Sequence, residues 1–256
     1  NEDKKEIYKA IKKVREEYDM KTADYFSQEC NISTNFEIKE NFIKKFEECK
    51  KKFPEFIVVL GDSHARDVYL SLIKTLKPKF VIAFLPSGCR PYKEMQKCKN
   101  AYERYKNFII KEKKNISLII YSQSGSKFLK HQYTLPINNS KIENTIKYLN
   151  KINTNENLVW LGPNIEPSIN MNFSGLNTIY KEKYKINEVK HLKKVDKLIK
   201  EKLLDKKIKY LSKIELMNYK AEKDFYKDKK LTFRDTDHWS IFGQIYFGKK
   251  IFFSKE

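Results

Sequence analysis

Two short motifs at opposite ends of the 256-residue chain carry residue types suited to acyl transfer. In the first, a Gly-Asp pair and then Ser63 directly follow the apolar run 56–60, and the second is Asp235-x-x-His238. A serine hydroxyl becomes a strong nucleophile when an imidazole accepts its proton and a carboxylate fixes the tautomer of that imidazole. Ser63, His238 and Asp235 therefore form a candidate catalytic triad.

Two neighbours of these residues compete for the same roles. Asp237 precedes His238 directly, and we expect its side chain to point away from the imidazole or to cap the last helix. His64 follows the nucleophile, and because adjacent side chains at a helix start diverge, we expect it to pack or to contact substrate, with a role as base as the alternative. Asp235 is therefore the predicted partner of the catalytic imidazole.

The pattern of apolar residues around these motifs predicts alternating strands and helices. Short apolar runs predict strands at 56–60, 80–85, 116–121, 158–161 and 207–211. Apolar residues at three- and four-residue spacing predict helices at 3–18, 36–53, 64–76, 99–113, 140–152, 180–204 and 240–252. The alternation predicts an α/β protein, a three-layer α/β/α sandwich with a five-stranded parallel sheet. We expect residues 1–53 to be a helical N-terminal extension or linker and residues 54–256 to be the catalytic domain.

In a parallel sheet of this kind, reactive groups lie on the loops that follow the carboxyl ends of the strands. Ser63 follows the first predicted strand, Gly88 the second, and Gln123 and Ser124 the third. Glycine allows the backbone to approach a substrate closely, so the N–H groups of Gly88 and Ser63 form a candidate oxyanion hole. Gln123 or Ser124 is the candidate for a further donor.

The motifs resemble those of the SGNH (GDSL-like) hydrolases. Gly-Asp-Ser-His at 61–64 resembles the first block of that family, and Asp235-x-x-His238 resembles the last. Gly-Cys-Arg-Pro at 88–91 and Asp-Thr-Asp-His-Trp-Ser at 235–240 look like one branch, the SGNH domain fused to, or partnered with, membrane acyltransferase family three. The classical third block contains Gly-x-Asn-Asp, whose Asn donates to the oxyanion, and the third strand here lacks that Asn.

The resemblance covers about residues 54–252 and implies an O-acetyltransferase that works through acetyl-Ser63. The implied acceptor is a hydroxyl of a bacterial surface polysaccharide, such as lipopolysaccharide or capsule, and a membrane acyltransferase domain, in the same chain or a partner, would relay the acetyl group. No metal or other cofactor is implied. A carbohydrate esterase or deacetylase is the alternative, because water can replace the sugar in the same chemistry. A glycan-binding domain without catalysis is a third possibility.

The formal charge of +20 indicates a lysine-rich surface more than a nucleic-acid-binding protein. Only five of the 53 basic residues are arginine, the residue suited to bidentate recognition of bases and phosphates, and no nucleic-acid-binding motif accompanies the lysines. Three of these five, Arg66, Arg90 and Arg234, flank the motifs. They are a candidate clamp for an anionic group on the acceptor.

Four cysteines without a Cys-x-x-Cys motif predict disulfides more strongly than a zinc site, with reduced core cysteines as the alternative. Closure of short loops favours Cys30 with Cys49 and Cys89 with Cys98. Disulfides predict a periplasmic or other extracytoplasmic location. The apolar runs are far shorter than the roughly 20 residues of a membrane span. We expect a processed chain or fragment that is membrane-tethered in its full-length form.

Overall fold

The chain folds around a parallel β-sheet, and the computed structural model describes residues 9, 13–14, 30–131, 134–166, 182–235 and 237–253. The strands are β1 (Asn31–Thr34), β2 (Phe56–Gly61), β3 (Val81–Phe84), β4 (Ile116–Ser122), β5 (Leu129–His131), β6 (Thr134–Ile137), β7 (Leu158–Leu161), β8 (Lys209–Leu211), β9 (Tyr226–Lys227) and β10 (Lys230–Leu231). Six of them form the central sheet in the order β1-β3-β2-β4-β7-β8, and every neighbouring pair is parallel. The predicted α/β class is confirmed.

Helices cover both faces of this sheet. The described α-helices are α1 (Glu40–Lys52), α2 (Ser63–Thr75), α3 (Gln96–Glu112), α4 (Asn139–Ile152), α5 (Glu182–Lys202), α6 (Lys213–Met217), α7 (Ala221–Asp224) and α8 (Ile241–Phe252). Side chains alternate along β2, so that Val58 and Leu60 join the core with α1, α3, α4 and α5, while Val59 joins the core with α2 and α8. The sheet is therefore the middle layer of three, as predicted.

The structure adds a sixth strand to the five predicted. Asn31–Thr34 pairs with β3 at the edge of the sheet, within the segment that the sequence assigned to a helical extension. This strand is only four residues long and three of them are polar, so it offers no apolar run that sequence reasoning can detect. Of the helix predicted at 3–18, all but residues 9, 13 and 14 lie outside the described part of the chain.

Both predicted disulfides are present. Cys30–Cys49 joins the start of β1 to α1, and Cys89–Cys98 joins the loop after β3 to α3. Disulfides form and persist in oxidising compartments, so this domain folds outside the cytoplasm. Among the helices of the described residues, none combines the length and the apolar character needed to cross a bilayer.

Candidate active site

Ser63 is the first residue of α2, and Asp62 caps that helix. Gly61 ends β2 with a φ of +147°, and a Cβ atom there would lie 1.8 Å from the carbonyl oxygen of Ser122 on β4, so the turn requires glycine. The Asp62 carboxylate accepts the N–H of His64 at 2.9 Å, which is an N-cap hydrogen bond. These contacts set Ser63, half-buried, at the carboxyl edge of the sheet.

The Asp62 carboxylate is fully buried and joins three loops. Its Oδ2 atom lies 2.8 Å from Nη2 of Arg90, and the N–H of Ser124 donates to its two oxygens at 3.2 and 3.3 Å. Burial by itself raises the pKa of this carboxyl, but the charge of Arg90 and the contacts with His64 and Ser124 outweigh burial and lower the pKa of Asp62. The loops after β2, β3 and β4 are therefore held together by one buried anion.

The loop after β3 forms a tight turn that carries Gly88. The N–H of Cys89 donates to the carbonyl of Pro86 at 2.9 Å, and Gly88 has a φ of +74°, as the third residue of a type II turn requires. Nη1 of Arg90 donates to the carbonyl of Gly88 at 3.1 Å. Arg90 is only 7% exposed and links this turn to Asp62, so its guanidinium is engaged within the protein instead of facing an acceptor.

Gln123 and Ser124, the candidates for a further oxyanion donor, are both buried in the loop after β4. Oε1 of Gln123 accepts a hydrogen bond from the hydroxyl of Tyr121, and the hydroxyl of Ser124 donates to Glu166 at 2.8 Å. A serine hydroxyl has one proton, so Ser124 in this arrangement has none left for an oxyanion. Its side chain supports the loop, and donation by Nε2 of Gln123 stays a prediction.

His238 and Asp235 lie in the loop between β10 and α8. Phe233 and Trp239 are fully buried at the base of the loop and form an antiparallel bridge, while Arg234, Asp235, Asp237 and His238 between them are partly exposed. Nδ1 of His238 lies 2.9 Å from Oδ1 of Asp235, and the same oxygen accepts the backbone N–H of His238 at 2.8 Å. This is the arrangement that a catalytic imidazole and its orienting carboxylate would require.

The base loop docks on the helix that carries the nucleophile. Asp67 lies four residues after Ser63, on the same face of α2, and its carboxylate accepts the N–H of Trp239 at 2.9 Å. The ring of His64 packs against the ring of His238, with centroids 5.2 Å apart. The loop that carries the predicted base therefore contacts α2, the helix that begins with Ser63.

The Nε2 atom of His238 is the atom that must accept the proton of Ser63. This nitrogen is buried, and it has no hydrogen-bond partner among the described residues. Catalytic hydrogen bonds in ligand-free enzymes are often long and become short only when the substrate is bound. Asp235 therefore orients the predicted base, and Nε2 of His238 has no partner among the described residues.

Asp237 does not point away from the imidazole, and that prediction is wrong. Its Oδ1 atom lies 3.0 Å from Nδ1 of His238, and its Oδ2 atom lies 3.3 Å from Nε2 of His64. Ser240, not Asp237, caps α8 and accepts a helix N–H at 2.9 Å. The prediction failed because the chain reverses at 232–240 and turns both aspartates toward one imidazole, which sequence spacing does not show.

The two carboxylates change the acidity of His238. Burial by itself disfavours the imidazolium, but hydrogen bonds with Asp235 and Asp237 outweigh burial and raise the pKa of His238 well above its ordinary value of about 6.5. The same contacts with His238 outweigh burial at the aspartates and lower the pKa of each. Before substrate binds, the site therefore favours an imidazolium next to two carboxylates.

His64, Asp237 and His238 are also the described residues best placed to hold a metal ion, since each offers one ligand atom and these atoms lie within 4.8 Å of one another. A tetrahedral zinc ion with bonds of about 2.0 Å would place its ligand atoms about 3.3 Å apart. Oδ2 of Asp237 lies 3.3 Å from Nε2 of His64, which matches that spacing, but Nδ1 of His238 is also 2.9 Å from Oδ1 of Asp235. The contacts within the cluster are hydrogen bonds and ion pairs between its own side chains, and the expectation that no metal is required stays a prediction.

Sequence reasoning missed three buried charged groups beneath the site. Asp67 holds the base loop, Glu166 accepts the Ser124 hydroxyl, and Nζ of Lys213 donates to the hydroxyl of Ser122 at 2.8 Å. Burial lowers the pKa of Lys213 to about 8, against the opposing effect of the nearby carboxylates. The position of Asp67, one helical turn after the nucleophile, was a usable signal, whereas nothing distinguishes Lys213 from the many surface lysines.

The other two arginines of the predicted clamp lie closer to the surface than Arg90. Arg66 donates to the hydroxyl of Ser87 at 3.3 Å, and Nε of Arg234 lies 3.5 Å from Oδ2 of Asp235. Both arginines are partly exposed. A clamp for an anionic acceptor therefore stays a prediction for Arg66 and Arg234.

The domain is a three-layer sandwich around a parallel sheet. It carries a serine at the first turn of α2 and an Asp-x-x-His loop before the last helix. This is the architecture of an SGNH-type domain. The family model described as "SGNH domain (fused to AT3 domains)" matches residues 29–251, and the chain belongs to this family. The resemblance stated from the motifs is thereby confirmed. The match also includes β1.

Comparison with solved structures gives the same fold. The periplasmic domain of a lipopolysaccharide acetyltransferase from Salmonella ser. Paratyphi A is similar with a TM-score of 0.59 and 14% sequence identity, over 89% of this chain and 91% of that one. A search of curated proteins found no significant match. At such low identity, the structural likeness supports a common fold.

Proposed function

We propose that this domain is an O-acetyltransferase that transfers an acetyl group through acetyl-Ser63 to a hydroxyl of a bacterial surface polysaccharide. The observation that carries the proposal is the 2.9 Å contact between His238 and Asp235, in a loop that docks on the helix beginning with Ser63. Membership of a family described as fused to AT3 domains supports it, as does the lipopolysaccharide acetyltransferase named among similar structures.

In the first half of the reaction, Oγ of Ser63 attacks the carbonyl carbon of the acetyl donor while Nε2 of His238 takes the hydroxyl proton. The tetrahedral intermediate then collapses, and the leaving group departs with that proton. The three N–H groups that follow Ser63 all bond to Asp62, so the N–H of Ser63 itself, with that of Gly88, is the proposed donor to the oxyanion.

In the second half, a sugar hydroxyl attacks the acetyl carbon of acetyl-Ser63. His238 accepts the proton of that hydroxyl and returns it to Oγ of Ser63 as the serine leaves. The sugar gains an O-acetyl ester and the enzyme returns to its starting state. Asp235 keeps the imidazole in the orientation and tautomer that both steps require.

We propose that the acetyl group reaches the domain from a membrane acyltransferase domain, in the same chain or in a partner. The description of the family as fused to AT3 domains supports this source. The two disulfides support a periplasmic or other extracytoplasmic location, where the full-length protein would be tethered to the membrane.

A carbohydrate esterase or deacetylase is the second candidate. One observation favours it: Ser63 is only half-buried, so water can reach an acetyl group on its hydroxyl. The two activities differ in how well the acyl-enzyme is shielded from water while the acceptor binds.

The test follows the acetyl group of 4-nitrophenyl acetate with and without an oligosaccharide acceptor, in the native chain, in Ser63→Ala and in Ser117→Ala. Ser117 is an exposed serine at the amino end of β4 and serves as the matched control. We expect acetylated sugar from the native chain and the control, and a loss of about 10³-fold or more in Ser63→Ala. Free acetate alone would favour the esterase, and full activity in Ser63→Ala would refute the site.

A further inference from the structure

The loop before α8 supplies one more carboxylate than a Ser-His-Asp triad needs. Nδ1 of His238 lies 2.9 and 3.1 Å from the two oxygens of Asp235, and 3.0 Å from Oδ1 of Asp237. The nitrogen carries one proton, which can satisfy one carboxylate fully. The second carboxylate at the same distance must be stabilised by the positive charge of the imidazolium or by another donor.

His64 is that other donor. Its Nε2 atom lies 3.3 Å from Oδ2 of Asp237, and its ring is 1% exposed. Its Nδ1 atom is buried and has no partner within the part of the chain that the structure describes. A buried N–H without an acceptor is destabilising, so the proton belongs on Nε2, where Asp237 accepts it. His64 therefore holds Asp237 next to His238.

We propose that Asp237, held by His64, is a positioning residue that acts through His238 and keeps this base in the imidazolium form until the substrate binds. The proposal rests on the proposed function, because it assigns a role to the partner of the proposed base. It makes the site a branched arrangement, in which Asp235 orients the imidazole and Asp237 adds a second negative charge at the same nitrogen.

Other charged groups also face this cluster. Arg234 and Asp235 come from the same loop, Asp67 and His64 from α2, Glu166 from the loop after β7, and Lys213 from α6. Among the described residues, the contact of Glu166 with the cluster is with Nε2 of His64, at 3.9 Å. Lys213 lies on the other side of Trp239, with Nζ 5.8 Å from that ring. Asp235 and Asp237 are therefore the anions in direct contact with Nδ1 of His238.

The proposal predicts a characteristic pH dependence. A general base acts in its neutral form, and two carboxylates raise the pKa of His238, so the rate should rise with pH through an apparent pKa above about 6.5. Asp237→Asn keeps the size of the side chain and removes one negative charge. The loss of an opposite charge at this distance should move the apparent pKa down by about 1 unit or more.

The experiment measures kcat/KM for 4-nitrophenyl acetate between about pH 5 and pH 10 in the native chain and in Asp237→Asn. Steps of about half a pH unit are sufficient to locate a shift of this size. A shift of the rising limb to lower pH supports the proposal. A lower plateau with the limb unmoved is the result of a purely structural role, and it would overturn the proposal.

A pair of substitutions at the second histidine tests how Asp237 is held. The amide of Gln in His64→Gln can still donate to Asp237, so the limb should stay at its native position. Leu in His64→Leu cannot donate, and the partly exposed Asp237 should turn to solvent and move the limb down, as in Asp237→Asn. If the rising limb of the pH profile of His64→Leu stays at its native position, the proposed role of His64 is overturned.

An NMR titration separates this inference from the proposed function. The imidazole ¹⁵N shifts of His238 report its protonation in the Ser63→Ala background, where no turnover is needed. A lower His238 pKa in Asp237→Asn supports the inference even if Ser63 proves unnecessary for activity. An unchanged pKa refutes the inference and leaves the proposed reaction untouched.

Discussion

The Asp62 carboxylate next to the predicted nucleophile is buried, whereas the predicted base lies on a partly exposed loop. The side chain of Asp62 has no exposed surface and contacts three segments of the chain. The side chains of Asp235, Asp237 and His238 are 40%, 20% and 17% exposed. One side is therefore stabilised by a buried ion pair within the core, and the other by hydrogen bonds within one loop and from that loop to α2.

This difference separates stability from catalysis. Removal of a partner from a buried ion pair leaves an uncompensated charge, which destabilises the whole domain. A change in the exposed loop leaves a group that water can solvate, so the stability of the fold is little affected and the catalytic rate is reduced instead. Substitutions around Asp62 should therefore reduce mainly the free energy of unfolding, and substitutions in the loop of His238 should reduce mainly kcat/KM.

The largest effect should come from Asp235→Asn on the base side. The Asn carbonyl can still accept the two backbone N–H groups that Asp235 accepts, but the imidazole loses its negatively charged partner. We expect kcat/KM to fall by about 10³- to 10⁴-fold while the free energy of unfolding changes by less than about 1 kcal/mol. Esterase assays and urea unfolding measure the two quantities. A large loss of stability would contradict the comparison.

Arg90→Met tests the nucleophile side. It leaves the fully buried Asp62 without its cation, so we expect the free energy of unfolding to fall by about 3–5 kcal/mol. Arg66→Met is the control, because Arg66 is partly exposed and makes one long hydrogen bond, and we expect about 0.5 kcal/mol or less. Urea unfolding of both variants is the measurement, and equal stability of the two would break the comparison.

The two disulfides should have the smallest and most selective effects. Loss of either one, by paired Cys→Ser substitution, should cost about 3 kcal/mol, and somewhat more for Cys30–Cys49, which closes the longer loop. For activity we expect the opposite order, with the larger loss when Cys89–Cys98 is removed. Cys89 lies in the turn of Gly88, whereas Cys30 precedes the amino end of β1, at the far edge of the sheet.

The measurement combines urea unfolding with kcat/KM at a temperature where both double variants stay folded. We expect near-native activity without Cys30–Cys49 and reduced activity without Cys89–Cys98. Equal activity in the two variants would show that the Gly88 turn keeps its shape through Arg90 alone.

Much of the fold was predictable because its signals are local. The predicted strand at 158–161 has the bounds that are observed, and the helix at 140–152 begins one residue earlier in the structure. Each is long or apolar enough to be detected in its own segment. Strand β1 was not, because its four residues become a strand only by pairing with β3. A partner that lies 50 residues away leaves no local signal.

In the candidate site, too, some features were predictable from local sequence and others were not. The identity of the triad residues depended on motif spacing, which the sequence shows directly. The position of Asp237 depended on how the loop at 232–240 reverses between the buried Phe233 and Trp239. The role of Arg90 depended on the burial of Asp62, which spacing does not reveal.

The sequence by itself determined the α/β class, the candidate Ser63, Asp235 and His238, and the pairing of the four cysteines. These features depend on periodicity, short motifs and short loops, all of which are properties of neighbouring residues. Only the tertiary structure decided that Asp237 meets the base and that Arg90 compensates a buried charge. Such contacts depend on which side chains share a volume from which water is excluded, and this is settled when distant segments pack together.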